Sequence, residues 1–124
     1  MKIAIVGAGI GGLAAALLIE RVGHRISIFE QFREPSPVGS GLMIQPVGLD
    51  VLKFAGAADV VKAHATPIRR VLGRNARTGR RVLEVDYGEV PGIGIHRASL
   101  FSALYDKARM LDLDWQVDRK VTDF

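Results

Sequence analysis

The chain has 124 residues, 48% apolar and 24% charged, enough for one domain with a real core and too few for two ordinary ones. It contains no cysteine, which excludes disulfides, thiolate chemistry and cysteine-held metals and fits a cytoplasmic protein. The net charge of +4 is uneven: residues 1–62 carry six Lys or Arg against five Asp or Glu, and residues 63–124 carry eleven against eight. No apolar run reaches the roughly 18 residues that a bilayer requires, so no membrane span is expected.

The first thirty residues read as strand, glycine turn, helix and strand. Lys2 to Val6 is a short apolar run with β-branched residues, suited to a strand buried on both faces, and this leaves no room for a secretory signal. Glycines follow at Gly7, Gly9 and Gly12. In a dinucleotide-binding unit the first permits a tight turn, the second lets the backbone approach a pyrophosphate, and the third lets helix and strand pack closely. A helix opening near Ile10 or Gly11 would aim its free N–H groups and positive dipole end at that pyrophosphate. Leu13, Leu17, Leu18 and Val22 supply its apolar surface, and Gly23 is placed to end it.

A second strand over Ile26, Ile28 and Phe29 ends on Glu30, where a carboxylate can accept hydrogen bonds from an adenosine ribose. Gln31 opens a loop marked by Pro35, Pro37, Gly39 and Gly41 that is longer than most βα connections. A short apolar segment, Gly41 to Pro46, precedes a helix over Val47 to Ala55 that Gly56 ends; residues 58–66 suggest a further helix or turn. Two β-like runs, Arg69 to Arg74 and Arg80 to Tyr87, flank a turn at Asn75 to Gly79 and predict an antiparallel hairpin. Ile93 to Arg97 leads into a helix capped by Ser99 and ending near Met110, after which Leu113 to Val117 and Val121 to Phe124 look like strands.

Three stretches together resemble the FAD-dependent aromatic hydroxylases, the class A flavoprotein monooxygenases of the p-hydroxybenzoate and salicylate hydroxylase type. They are GAGIGG with Glu30, Gly39-Ser40-Gly41-Leu42-Met43-Ile44-Gln45-Pro46, and Ile95-His96-Arg97-Ala98-Ser99-Leu100, similar to that family's His-Arg-Ala-Asp-Leu motif. The resemblance implies FAD as cofactor, with Gly7, Gly9 and Gly12 at its pyrophosphate, Glu30 at the adenosine ribose and Arg97 toward the flavin's phosphate or ribityl region, and with Ile10, Gly11, Gln31 and Gly41 also among the cofactor-binding residues. A guanidinium fork suits phosphate oxygens. The activity implied is hydroxylation of a small aromatic substrate with NAD(P)H and dioxygen. Val47 and Ser99 depart from the family's usual Asn and Asp, and the family's later Asp-Gly and Gly-Asp motifs and most of its substrate sheet have no counterpart in the chain.

The expected fold is therefore α/β: a Rossmann-like FAD-binding unit with parallel strands in the order 2-1-3 and an antiparallel excursion, incomplete relative to the family. Residues 1–57 hold the βαβ unit and the next helix, 68–87 the hairpin, and 93–124 a helix and returning strand. No catalytic residue is assigned, and the chain alone is expected to be inactive. Two rival readings are a catalytically silent fragment that binds only the ADP moiety of a dinucleotide, and the NAD-binding module of a dehydrogenase. Exposed sheet edges and apolar surface predict self-association. The arginines at 69, 70, 74, 77, 80 and 81 lack interleaved aromatic partners, so no nucleic acid is expected. Three His without a carboxylate cluster predict no metal site. His24 reads as an exposed turn residue and His64 as isolated. His96 and Gln45 each have a packing or backbone role and a flavin-facing role open.

Overall fold

The computed structural model describes residues 1–36 and 39–123, so Pro37 and Phe124 lie outside the described residues. Lys2–Val6 (β1), Ile10–Glu20 (α1) and Arg25–Phe29 (β2) form a βαβ unit whose strands pair in parallel from Lys2↔Arg25 to Val6↔Phe29. Ile26 and Ile28 are buried beneath Leu13, Ala16 and Leu17 of α1, with Ile5 packed against the same cluster. Gly23 has φ +82° and donates to the Glu20 carbonyl at 2.8 Å, so a left-handed glycine turns the chain out of α1 toward β2.

Gly41–Ile44 (β3), Pro46–Phe54 (α2), Ala58–Ala63 (α3) and Ala65–Ile68 (β4) follow, then Arg70–Arg74 (β5), Arg81–Asp86 (β6), Gly92–His96 (β7), Arg97–Arg109 (α4) and Asp114–Gln116 (β8). β5 and β6 are the hairpin. Asn75 Oδ1 accepts the amides of Arg77 and Thr78 across its turn, and Glu84 is ion-paired to both Arg70 and Arg81. Every residue from 69 to 90 is at least partly exposed.

The parallel strands run β1-β2-β8, with β2 in the centre, and not 2-1-3. The reason lies in the helices. α1 and α4 pack against each other, so both crossovers cover one face of the sheet. Right-handed crossovers on one face advance the strands in one direction, which carries β8 past β2 and leaves β1 at the edge. β1 is for the same reason not buried on both faces: Lys2, Ala4 and Val6 are exposed.

The antiparallel portion is larger than a hairpin. β3 and β4 flank β7 in a second sheet, with Leu42↔Ile95 and Ala65↔Ile95 in register. Ile93 and Ile95 face the core, while the alternate positions of β7 are Gly92, Gly94 and His96. Ser99 does not cap α4. Arg97 N–H donates to the Ser40 carbonyl at 2.9 Å, which continues the β3–β7 ladder, so the helix starts where that ladder stops, with His96 as N-cap and no side-chain cap. On its other flank α4 docks β8 through aromatics: Phe101 stacks on Tyr105 at 5.5 Å, and Tyr105 meets Trp115 edge-on at 5.6 Å. Residues 121–123 form no strand; beyond β8, Asp118 adopts φ +55° and Arg119 N–H turns back to the Glu30 carbonyl.

Candidate functional site

The glycine turn between β1 and α1 is shaped by contacts that a side chain would destroy. Gly7 has φ +96° and donates to the Phe29 carbonyl at 2.7 Å, tying the turn to the end of β2. A Cβ on Gly12 would lie 1.9 Å from the Gly7 carbonyl oxygen, so only glycine lets the helix come this close to the strand. Gly9 and Gly11 differ: a Cβ there meets nothing within 4 Å. Their surface is open space.

Gly9 is the N-cap of α1, extended at φ −75°, with no side-chain cap and no acidic residue in the first turn. The first amides of the helix therefore have no intrahelical partner, and no acidic side chain of the first turn competes for them. A diphosphate matches that donor set: amides at a helix N-terminus, a favourable dipole, and room for a group that needs the space a Cβ would fill.

Glu30 is the buried charged residue of the described chain, 7% exposed. One carboxylate oxygen, Oε2, accepts the Ala8 N–H at 2.7 Å, and Oε1 accepts the Phe32 N–H at 3.0 Å. A carboxylate offers about four lone-pair positions. Two are used by the backbone, which leaves acceptor capacity for a donor from outside the chain.

One cleft of about 180 Å³ brings these groups together: Ala8, Gly9 and Ile10 of the turn, Glu30 and Gln31 at the end of β2, and Arg97 at the start of α4. Phe32, Pro35, Ser36 and Phe101 complete its wall. Phe101 was not anticipated, although its position four residues after Arg97 puts both on one side of α4. Gly39, at φ +108°, supports the guanidinium stem, since a Cβ on it would sit 3.2 Å from Arg97 Cδ.

Gly41 is not in this cleft. It pairs with His96 in the second sheet and opens on a shallow trough of about 630 Å³ with Met43, His64, Thr66, Gly94 and His96. His64, the C-cap of α3, is thus not isolated: it lines this trough together with His96. Gln45 is exposed as the N-cap of α2. His24 is half-buried, its Nδ1 3.3 Å from the Met1 amino group. No group of three or more metal-ligating side chains occurs among the described residues.

A βαβ unit with an uncapped, glycine-lined helix N-terminus and a ribose-competent carboxylate defines a dinucleotide-binding protein. More narrowly, the chain belongs to the FAD binding domain family, whose model matches residues 1–123. It is 32% identical over 84 residues to the FAD-dependent urate hydroxylase of Klebsiella pneumoniae, covering 68% of this chain and 22% of that protein. It is 27% identical over 115 residues to the 3-hydroxybenzoate 6-hydroxylase of Klebsiella oxytoca, covering 87% and 29%. Among solved structures, the tetrameric form of 2-methyl-3-hydroxypyridine-5-carboxylic acid oxygenase superposes with a TM-score of 0.81 at 26% identity, over 94% of this chain and 31% of that one. Klebsiella pneumoniae HpxO complexed with FAD and uric acid superposes with a TM-score of 0.74 at 25% identity, over 99% and 32%. The resemblance to class A flavoprotein hydroxylases is therefore real, and FAD is the cofactor. The chain spans between a fifth and a third of the length of these relatives.

Proposed function

We propose that this chain is the FAD-binding part of a flavin-dependent monooxygenase that hydroxylates a small aromatic substrate with NAD(P)H and dioxygen. The observation that carries the reading is the convergence of free helix amides, Glu30 and Arg97 on one cleft. Bound FAD would supply the redox chemistry. The chain's own residues bind and orient it. Gly9, Ile10 and Gly11 present amides to the pyrophosphate, while Gly7 and Gly12 hold the turn in shape. Glu30, with Gln31 beside it, takes the ribose hydroxyls, and Arg97 pairs with phosphate oxygens near the ribityl chain. Gly41 leads from there onto the trough, on the side where the flavin belongs. The relatives named above act on urate and 3-hydroxybenzoate, which is the support for a small aromatic substrate.

A second reading keeps only the adenosine half: every polar group in the cleft serves an ADP moiety. Titration with FAD, ADP and NAD separates the possibilities. Tight FAD binding with a shifted flavin absorbance band supports the proposal, equal weak binding of FAD and ADP supports the ADP-only reading, and preference for NAD overturns both. A cytoplasmic location belongs to the same reading; no helix among the described residues is long and apolar enough to cross a membrane. Self-association in solution is part of it too, since β1 is an open edge and several large apolar side chains are exposed.

A further inference from the structure

Helix α2 is apolar on two sides. Leu49 and Leu52 are buried against the core. On the opposite side Val47, Val51 and Phe54, at helical spacing i, i+4 and i+7, are 69%, 41% and 70% exposed. Isolated surface hydrophobes need no explanation, but three in line along one helix face form a stripe.

The stripe is flanked by two opposite charges. Asp50 and Lys53 lie on the same side of it, both exposed, and neither side chain has a hydrogen bond or ion pair among the described residues. At about 100° per residue, Asp50 stands roughly 60° from the stripe and Lys53 further round on the same flank, within reach of its four-carbon stem.

We propose that this face docks on the same face of a second copy, with the two α2 helices antiparallel about a two-fold axis at Val51. The arrangement is self-complementary, as an isologous contact must be. Val47 of each copy meets Phe54 of the other, and Val51 meets Val51. The same axis brings Asp50 opposite Lys53 on one shared flank, within about one residue's rise of 1.5 Å. A parallel arrangement would instead put the two charged flanks on opposite sides of the seam, where Asp50 and Lys53 do not meet. The charges therefore select the antiparallel register, while the apolar stripe supplies the attraction.

A nine-residue helix pair is a small contact, below the roughly 800 Å² per partner of a standard interface. The dimer is accordingly weak, with a dissociation constant on the order of 10–100 µM. The proposal rests on the self-association inferred above but assigns it to α2 and not to the β1 edge, and it is independent of FAD.

Sedimentation equilibrium of the whole chain from low micromolar to near-millimolar concentration tests it. Wild type should pass from monomer to dimer. Val51→Glu, which places two carboxylates on the axis, should raise the dissociation constant at least tenfold. Asp50→Lys should weaken the dimer several-fold, and the double exchange Asp50→Lys with Lys53→Asp should restore it; both positions are exposed, so these variants report even if Val51→Glu folds poorly. A monomer at every concentration overturns both the self-association and its site. A wild-type dimer unaffected by all three variants overturns the α2 site alone, leaving the edge.

Discussion

The Glu30 carboxylate accepts the amide proton of Ala8 at 2.7 Å, so the residue at the end of β2 holds the glycine turn at the end of β1. The same group that is proposed to meet the ribose also sets the position of the turn that meets the pyrophosphate. Glu30→Gln keeps the volume but turns one acceptor into a donor facing an amide. The substitution should cost about 1–3 kcal/mol of stability and lower FAD affinity by about tenfold or more. Thermal unfolding and calorimetric FAD titration of the variant check both; unchanged values in each would remove Glu30 from the site.

Gly12 and Gly9 should separate folding from binding. With a Cβ 1.9 Å from a backbone oxygen, Gly12→Ala cannot be accommodated and should yield unfolded or insoluble protein. Gly9→Ala meets no atom and should fold, with a loss in stability of about 1 kcal/mol at most at a helix N-cap. Its methyl group occupies the space assigned to the pyrophosphate, so FAD affinity should fall by an order of magnitude or more. A Gly9→Ala variant that binds FAD normally would place the phosphates elsewhere.

On the proposed reading, Arg97 should separate the flavin half of the ligand from the adenosine half. Arg97→Ala should weaken FAD binding by about ten- to a hundredfold, since a charge-assisted pair contributes about 1.5–3 kcal/mol. Arg97→Lys should recover only part, because an ammonium cannot reproduce the guanidinium fork. ADP binding should change less than FAD binding in both variants; an equal loss for the two ligands would move Arg97 to the adenosine side.

Acid should loosen the outer strand of the parallel sheet. The Ser27 hydroxyl, donating to Asp114 Oδ2 at 2.8 Å, and then the Gln116 amide hold the Asp114 carboxyl below the usual carboxylate range. Because the folded value is the lower one, the contribution is fully present above the unfolded value of about 3.9 and is lost as pH falls below it through the folded value. Ser27→Ala should raise the Asp114 titration midpoint measured by NMR and reduce the drop in unfolding temperature between pH 5 and pH 3. An unmoved midpoint would show that Ser27 does not hold the carboxylate.

The βαβ unit was legible because its signals are local. Glycine spacing, apolar period and the acid at the strand end all lie within thirty residues, and Gly23 and Gly56 stop their helices where a positive φ is required. Arg97 was legible only through its motif. The strand order was not, since it depends on which face α4 covers, and α4 is placed by Phe101, Tyr105 and Trp115 from separated segments. Likewise β3 and β4 are short runs that become strands by pairing with β7. A serine near a helix start suggests a cap, but at Ser99 a ladder bond between Arg97 and Ser40 decided the boundary first.

One consequence of the second sheet concerns how the chain tolerates change. β4 and β7 are antiparallel neighbours, and Ile68, the last residue of β4, pairs with Gly92, the first of β7. The arginine-rich hairpin thus leaves and rejoins the body at two touching points. It should therefore be removable as an insert, in favour of a two-residue turn, without altering either strand's register. A protease cutting at its exposed arginines would divide the chain into two pieces that the β4–β7 ladder still holds together.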